Sequence, residues 1–182
     1  MKIFNILIFL IFSTVSNAND IYDLEIEGIS VGDSALDYFS INEINKSKKD
    51  YYVNKEYTAA VIENKSFFET YEDIQINFLT QDKNYIIENI SGNLYITYSY
   101  CLIELDKMIN EFNEILVTGT FYDKETFDHP NGSGDVITDV YWDLTSGNVL
   151  IQCYDRSGSG NDDVLNVAID TKEFFKFIVD KA

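Results

Sequence analysis

Apolar positions recur along this chain in two rhythms. A two-residue rhythm runs through Thr58, Ala60 and Ile62, through Ile74, Ile76 and Phe78 with Asp73, Gln75 and Asn77 alternating, and through Leu94, Ile96 and Tyr98. Successive side chains of a strand point to opposite faces, so each segment is expected to bury one face. Turn-forming residues near Asn64-Lys65, Gln81-Asp82-Lys83-Asn84 and Ser91-Gly92-Asn93 predict antiparallel connections between these strands. The same rhythm predicts strands over Val136 to Leu144 and Val149 to Tyr154, joined by a hairpin at Thr145-Ser146-Gly147-Asn148, and over Val164 to Ile169. Tyr95, Tyr141 and Tyr154 fall on the faces opposite the buried ones.

The second rhythm is helical. From Tyr100 to Leu116 the apolar residues Leu102, Leu105, Ile109, Phe112 and Leu116 share a stripe, flanked by Cys101, Met108 and Ile115, with Glu104, Lys107, Glu111 and Glu114 opposite. Such a face requires a sheet to cover it. Ile21 to Gly28 reads as a short strand or extended arm, followed by a turn and a short helix bearing Ala35, Leu36 and Phe39, with Ser30 or Asp33 as its cap. Ser40 precedes Glu43 at capping-box spacing, and Asp170 precedes Glu173 in the same way before Phe174, Phe177 and Ile178 of a closing helix. The stretch Thr118 to Asp135 mixes glycine, aspartate and proline and reads as a loop, with a short strand only at its start. Helices and strands in this order predict a single α+β domain, an antiparallel sheet with helices packed on one face. A helix followed by strands occurs twice, although no residues recur at a fixed period.

The first residues add a different prediction. A basic start at Lys2, an apolar run from Ile3 to Phe12 and the small-x-small sequence Ser16-Asn17-Ala18 are the parts of a secretory signal. Cleavage after Ala18 would leave residues 19–182 as the mature domain. Ten residues of helix span only about 15 Å, half of a hydrocarbon core, so the run is too short for an anchor. No cysteine follows the site to carry a lipid, which makes a periplasmic or secreted protein without membrane insertion the expectation.

Composition narrows the partners. Of 182 residues, 31 are acidic and 13 basic, a formal charge of −18, and removal of Lys2 with the signal makes it −19. A surface of that sign repels phosphate backbones, so nucleic acid is not an expected partner. Hydrophobic residues at 46% and aromatics at 15% exceed what disordered chains carry, so the acidity belongs to the surface of a folded domain. The two cysteines, Cys101 and Cys153, fit one disulfide in an oxidising compartment, two unpaired buried thiols being the plainer reading.

Candidate chemistry is sparse. His129, the one histidine, lies in Phe127-Asp128-His129-Pro130, and no Gly-x-Ser-x-Gly elbow accompanies it. Acidic residues are too many for any carboxylate pair to stand out. In residues 155–163 oxygen side chains at Asp155, Ser157, Ser159, Asn161 and Asp163, with Gly160 at the sixth place, suggest a calcium loop. The pattern ends on Asn166 where a bidentate glutamate is expected, and the same residues read more simply as a Gly/Ser/Asp-rich connection between strands.

The segment Asp23 to Ser40, with Gly28-Ile29-Ser30-Val31-Gly32-Asp33-Ser34 at its centre, resembles small exported proteins of unknown function from marine bacteria. It is also similar, more distantly, to the opening of beta-lactamase-inhibitor-protein-like domains and of small outer-membrane assembly lipoproteins, although it lacks the lipidated cysteine of the latter. The second resemblance implies a protein-binding module. Taken together, the sequence predicts a non-enzymatic exported domain that binds an envelope or extracellular protein through an acidic rim and a tyrosine-bearing sheet face, with no cofactor. A hydrolase using acidic residues, with calcium at residues 155–163, is the alternative, and a structural protein without a specific ligand is the third.

Overall fold

The computed structural model describes residues 20–63, 66, 68–130 and 132–181; the predicted signal and the Asn64-Lys65 turn lie outside them. A short arm from residue 20 to 39 contains two single helical turns and drives Ile21, Leu24, Ile26, Ile29 and Val31 into the core. Helix α1 (Ile41–Ser47) follows, opened by the predicted capping box: Ser40 accepts from the Glu43 N–H, and the Glu43 carboxylate accepts from the Ser40 N–H. Strands β1 (Lys48–Lys49), β2 (Tyr57–Ile62), β3 (Asp73–Leu79) and β4 (Asn89–Leu94) come next. Then come α2 (Tyr98–Ile115), strands β5 (Thr120–Asp128), β6 (Val136–Asp143), β7 (Gly147–Asp155) and β8 (Val164–Thr171), and α3 (Lys172–Lys181).

The eight strands make one antiparallel sheet in the order β1-β2-β3-β4-β8-β7-β6-β5. Each half is a helix followed by four strands laid side by side, and the halves meet where β4 pairs with β8. The doubled helix-then-strands order in the sequence thus becomes two meanders facing each other about the centre of the sheet. The α+β architecture follows from this arrangement.

One face is fully covered. Ile74, Ile76 and Phe78 of β3, Ile90 and Leu94 of β4, Leu165, Val167 and Ile169 of β8, and Val149 and Ile151 of β7 pack with Leu105, Met108 and Phe112 of α2 and Ile44 of α1. Trp142 lies between Phe112 and Phe121, with ring centres at 5.4 and 5.1 Å, and its indole N–H donates to the Asn113 amide oxygen at 2.9 Å. Cys101 in the first turn of α2 is bonded to Cys153 on β7, so the predicted disulfide staples helix to sheet. The third helix goes to the other face: Phe174 and Phe177 pack edge-on against Tyr52 and Tyr57 at the end of the sheet.

Three local expectations are corrected. Ser91-Gly92-Asn93 is not a turn but the middle of β4. A Cβ at Gly92 would lie 2.5 Å from the Tyr71 ring, so the glycine is required by close packing rather than by a bend. Half of the stretch Thr118 to Asp135 is strand rather than loop, since β5 spans Thr120–Asp128 as the sheet's outer edge with nearly every side chain exposed. The closing helix is capped by Thr171, whose hydroxyl accepts from the Phe174 N–H at 3.2 Å, while Asp170 is buried in the sheet.

Candidate functional site

Opposite the covered face, the residues left between α3 and the far ends of the strands line a concavity of about 880 Å³. Register explains its composition, because every second residue of β3, β4, β8 and β7 points there. Asp73 and Gln75 on β3, Asn89, Ser91 and Asn93 on β4, Asn166, Ala168 and Asp170 on β8, and Leu150, Gln152 and Tyr154 on β7 line it, polar but for Ala168 and Leu150, with Asn77 buried on the same face.

Cross-strand pairing sorts these side chains into rows. The middle row runs Val61, Gln75, Ser91, Ala168, Leu150 and Tyr141. Its centre holds the two smallest side chains, Ser91 and Ala168, so the floor dips there. On one side, Asn93 donates to Asp73 Oδ1 at 2.6 Å and Asn166 donates to Asn93 at 2.8 Å, while Tyr95 donates to Asp73 Oδ2 at 2.8 Å and Tyr154 to Gln152 at 2.8 Å. On the other side, beneath α3, Tyr52 donates to Asn77 at 2.8 Å, Asn77 to Asn89 at 2.5 Å, and Asn89 to the Asp170 carboxylate. Two hydrogen-bonded rows of amides therefore wall a shallow trough running across the strands.

Burial alters the ionisation of this face. The Asp170 carboxyl is pushed up to about 7 by desolvation, against which the hydrogen bond from Asn89 acts. Desolvation also raises Asp139, with the Glu125 charge directly across the β5-β6 ladder adding to it and the Gln152 bond opposing it. The Tyr95 and Tyr154 hydroxyls are both held up at about 12, chiefly by burial.

The predicted tyrosines are on this face: Tyr95 and Tyr154 line the concavity, and Tyr141 stacks face to face on Tyr122 at 4.2 Å beyond it. His129 stands at the rim, its ring 6.2 Å from that of Tyr154. In the calcium-like loop the oxygen side chains bond to one another and to the backbone. The Ser157 hydroxyl and, at 2.9 Å, its N–H hold the Asp155 carboxyl below the usual range, and Asn161 donates to the Ser159 hydroxyl. Asp163 accepts from the Arg156 N–H and from the Tyr98 N–H, both at 2.9 Å, so one carboxylate fastens the loop to the start of α2. Among the described residues no group of three or more His, Cys, Asp or Glu side chains is placed to hold a metal ion.

Sequence reasoning passed over the amide rows and Arg156. Their signal was present in the polar partners of the apolar alternation: Asp73-x-Gln75-x-Asn77, Asn89-x-Ser91-x-Asn93 and Asn166-x-Ala168-x-Asp170 place amides and carboxylates on one face of three neighbouring strands. No family model, no curated protein and no solved structure matches the chain.

Proposed function

We propose that this is an exported binding domain that presents its open sheet face to an envelope or extracellular protein. The observation that carries the reading is the unequal treatment of the two sheet faces. One is closed by α1, α2 and the arm; the other keeps a trough of about 880 Å³ with walls of amides, small side chains at the centre of its floor and tyrosines at its rim. Tyrosine supplies contact area at low entropy cost, and side-chain amides supply both donors and acceptors, the materials of protein recognition surfaces. The two amide walls are polar and hydrogen-bonded in advance, so they hold their shape without a partner. Export is supported by the N-terminal pattern and is compatible with the Cys101–Cys153 bond.

The test is capture from envelope extract with the wild-type domain and with Ala168→Phe, which fills the trough with a residue that strands accept. The reading expects a protein enriched by the wild type and lost with the variant, at equal thermal stability. Enrichment that survives the filled trough, or none above an equally acidic control protein, would overturn it.

A further inference from the structure

The concave face holds one cation in fixed geometry. Arg156 is the only arginine in a chain of formal charge −18. It directly follows β7, and its guanidinium carbon lies 5.3 Å from the centre of the Tyr154 ring. Its charge also reaches the Tyr95 hydroxyl on the neighbouring part of the rim. Among the described residues the guanidinium makes no ion pair, and the four ion pairs found there all use lysines. In a molecule with 31 carboxylate side chains that arrangement requires local construction.

The loop supplies it. The Arg156 N–H is held by Asp163 at 2.9 Å. Its carbonyl accepts from the Gly160 N–H at 2.9 Å and from both the N–H and the hydroxyl of Ser159 at 3.2 Å. Gly160 sits at φ +73°, the left-handed conformation that closes such a turn. Residues 155–163 thus fold around the Arg156 backbone, and the Tyr154 ring orients its side chain. The carboxylates facing the trough are already engaged: Asp73 accepts from Asn93 and Tyr95, and Asp170 accepts from Asn89. The guanidinium brings donors to this rim in a planar fork that matches a carboxylate in two parallel hydrogen bonds.

We propose that Arg156 reads the side-chain carboxylate of an Asp or Glu in an extended partner segment lying in the trough between the two amide rows. This rests on the reading of the open face as the binding surface and names the chemistry it recognises. The trough crosses the strands along Gln75, Ser91, Ala168 and Leu150, and Gln75, Asn93, Asn166 and Gln152 offer amide groups to a peptide backbone beside it. Arg156 stands on the side wall, two residues beyond Tyr154, so it meets a side chain projecting from the segment rather than the segment's end. Pairing takes place at contact, because at physiological salt charges further apart than about a Debye length, ~8 Å, are screened and the acidic surface acts little on a more distant anionic segment.

The experiment titrates the folded domain with three pools of hexapeptides that share random flanks, read by amide NMR shifts at Gln75, Asn93, Gln152 and Arg156. One pool is blocked at both ends with a fixed central Glu, one is blocked with a central Gln, and one has a central Gln and a free terminal carboxylate. The expected result is saturable shifts from the Glu pool, at least tenfold weaker binding of both Gln pools, loss of that preference in Arg156→Gln and partial retention in Arg156→Lys. Raising salt from 10 to about 150 mM is expected to strengthen Glu-pool binding by screening long-range repulsion. Trough shifts of equal strength from the Glu pool and the blocked Gln pool, or a Glu preference that survives Arg156→Gln, would overturn the role of Arg156 and leave the binding face standing. Selective binding of the free-carboxylate pool would overturn the side-chain assignment. Absence of trough shifts with every pool would overturn both this inference and the proposed function.

Discussion

Asp170 ends a directed chain of hydrogen bonds, Tyr52 to Asn77 to Asn89 to its carboxylate, and it is nine-tenths or more buried. Its folded-state value of about 7 lies above the ordinary 3.8, so the folded protein binds the proton more tightly than the unfolded chain does. The sign follows: this contribution is fully present below pH 4 and is lost as pH rises through 7. Asp170→Asn keeps an oxygen for Asn89 and removes the charge. It is expected to stabilise the domain at pH 8 by on the order of 1–3 kcal/mol and to flatten the wild-type slope between pH 4 and 7, as read by urea unfolding at several pH values. A variant with the wild-type slope would show that Asp170 is not the titrating group. Gly92 makes a second prediction at this scale. Gly92→Ala forces a Cβ against the Tyr71 ring and is expected to destabilise by about 1–3 kcal/mol, whereas a turn glycine at ordinary φ would tolerate alanine.

At the scale of elements, the start of α2 depends on residues far away in sequence. Thr97 makes no side-chain capping bond, and the cap is supplied by Asp163 from the loop before β8. Asp163→Ala should therefore cost about 1 kcal/mol of helix capping and at the same time release the Arg156 backbone. Circular dichroism melts and Arg156 side-chain NMR relaxation would show both losses together. The Cys101–Cys153 bond closes a 52-residue separation between the same helix and β7. Its reduction is expected to lower stability by up to about 4 kcal/mol in denaturant titrations. These elements also show what was legible beforehand. The apolar rhythm identified α2, β3, β6, β7 and β8 because each turns one face to the core, α2 doing so through Cys101, Leu105, Met108 and Phe112 while Leu102 and Ile109 are half-buried and Glu104, expected opposite, is buried. Strand β5 escaped because an edge strand exposed on both sides has no burial rhythm to read. The middle of β4 escaped because Ser91, Gly92 and Asn93 are turn-forming types, here selected by the trough and by the Tyr71 ring. Half of the candidate site was thus visible as the polar partners of buried residues. The rows became visible only through strand order, since β4 and β8 are separated by 70 residues of sequence and adjacent in the sheet.

The whole molecule joins two helix-and-meander halves along β4 and β8, and the joint lies in the floor of the trough. Binding there would tie the halves together, so a partner should raise cooperativity as well as stability. A formal charge of −18 on 182 residues also makes self-repulsion a global term. Thermal stability at pH 8 is expected to rise between 10 and about 150 mM salt as that repulsion is screened. The central claim is that the open sheet face, not the helical face, meets the partner. Its most direct test is a photo-crosslinking side chain placed in the full-length protein in living cells, either at Leu150 in the trough or at Ile103 on the outer surface of α2, where the native side chain is 53% exposed. The account predicts a discrete higher-mass adduct from position 150 and none from position 103. An adduct from position 103 alone would contradict it.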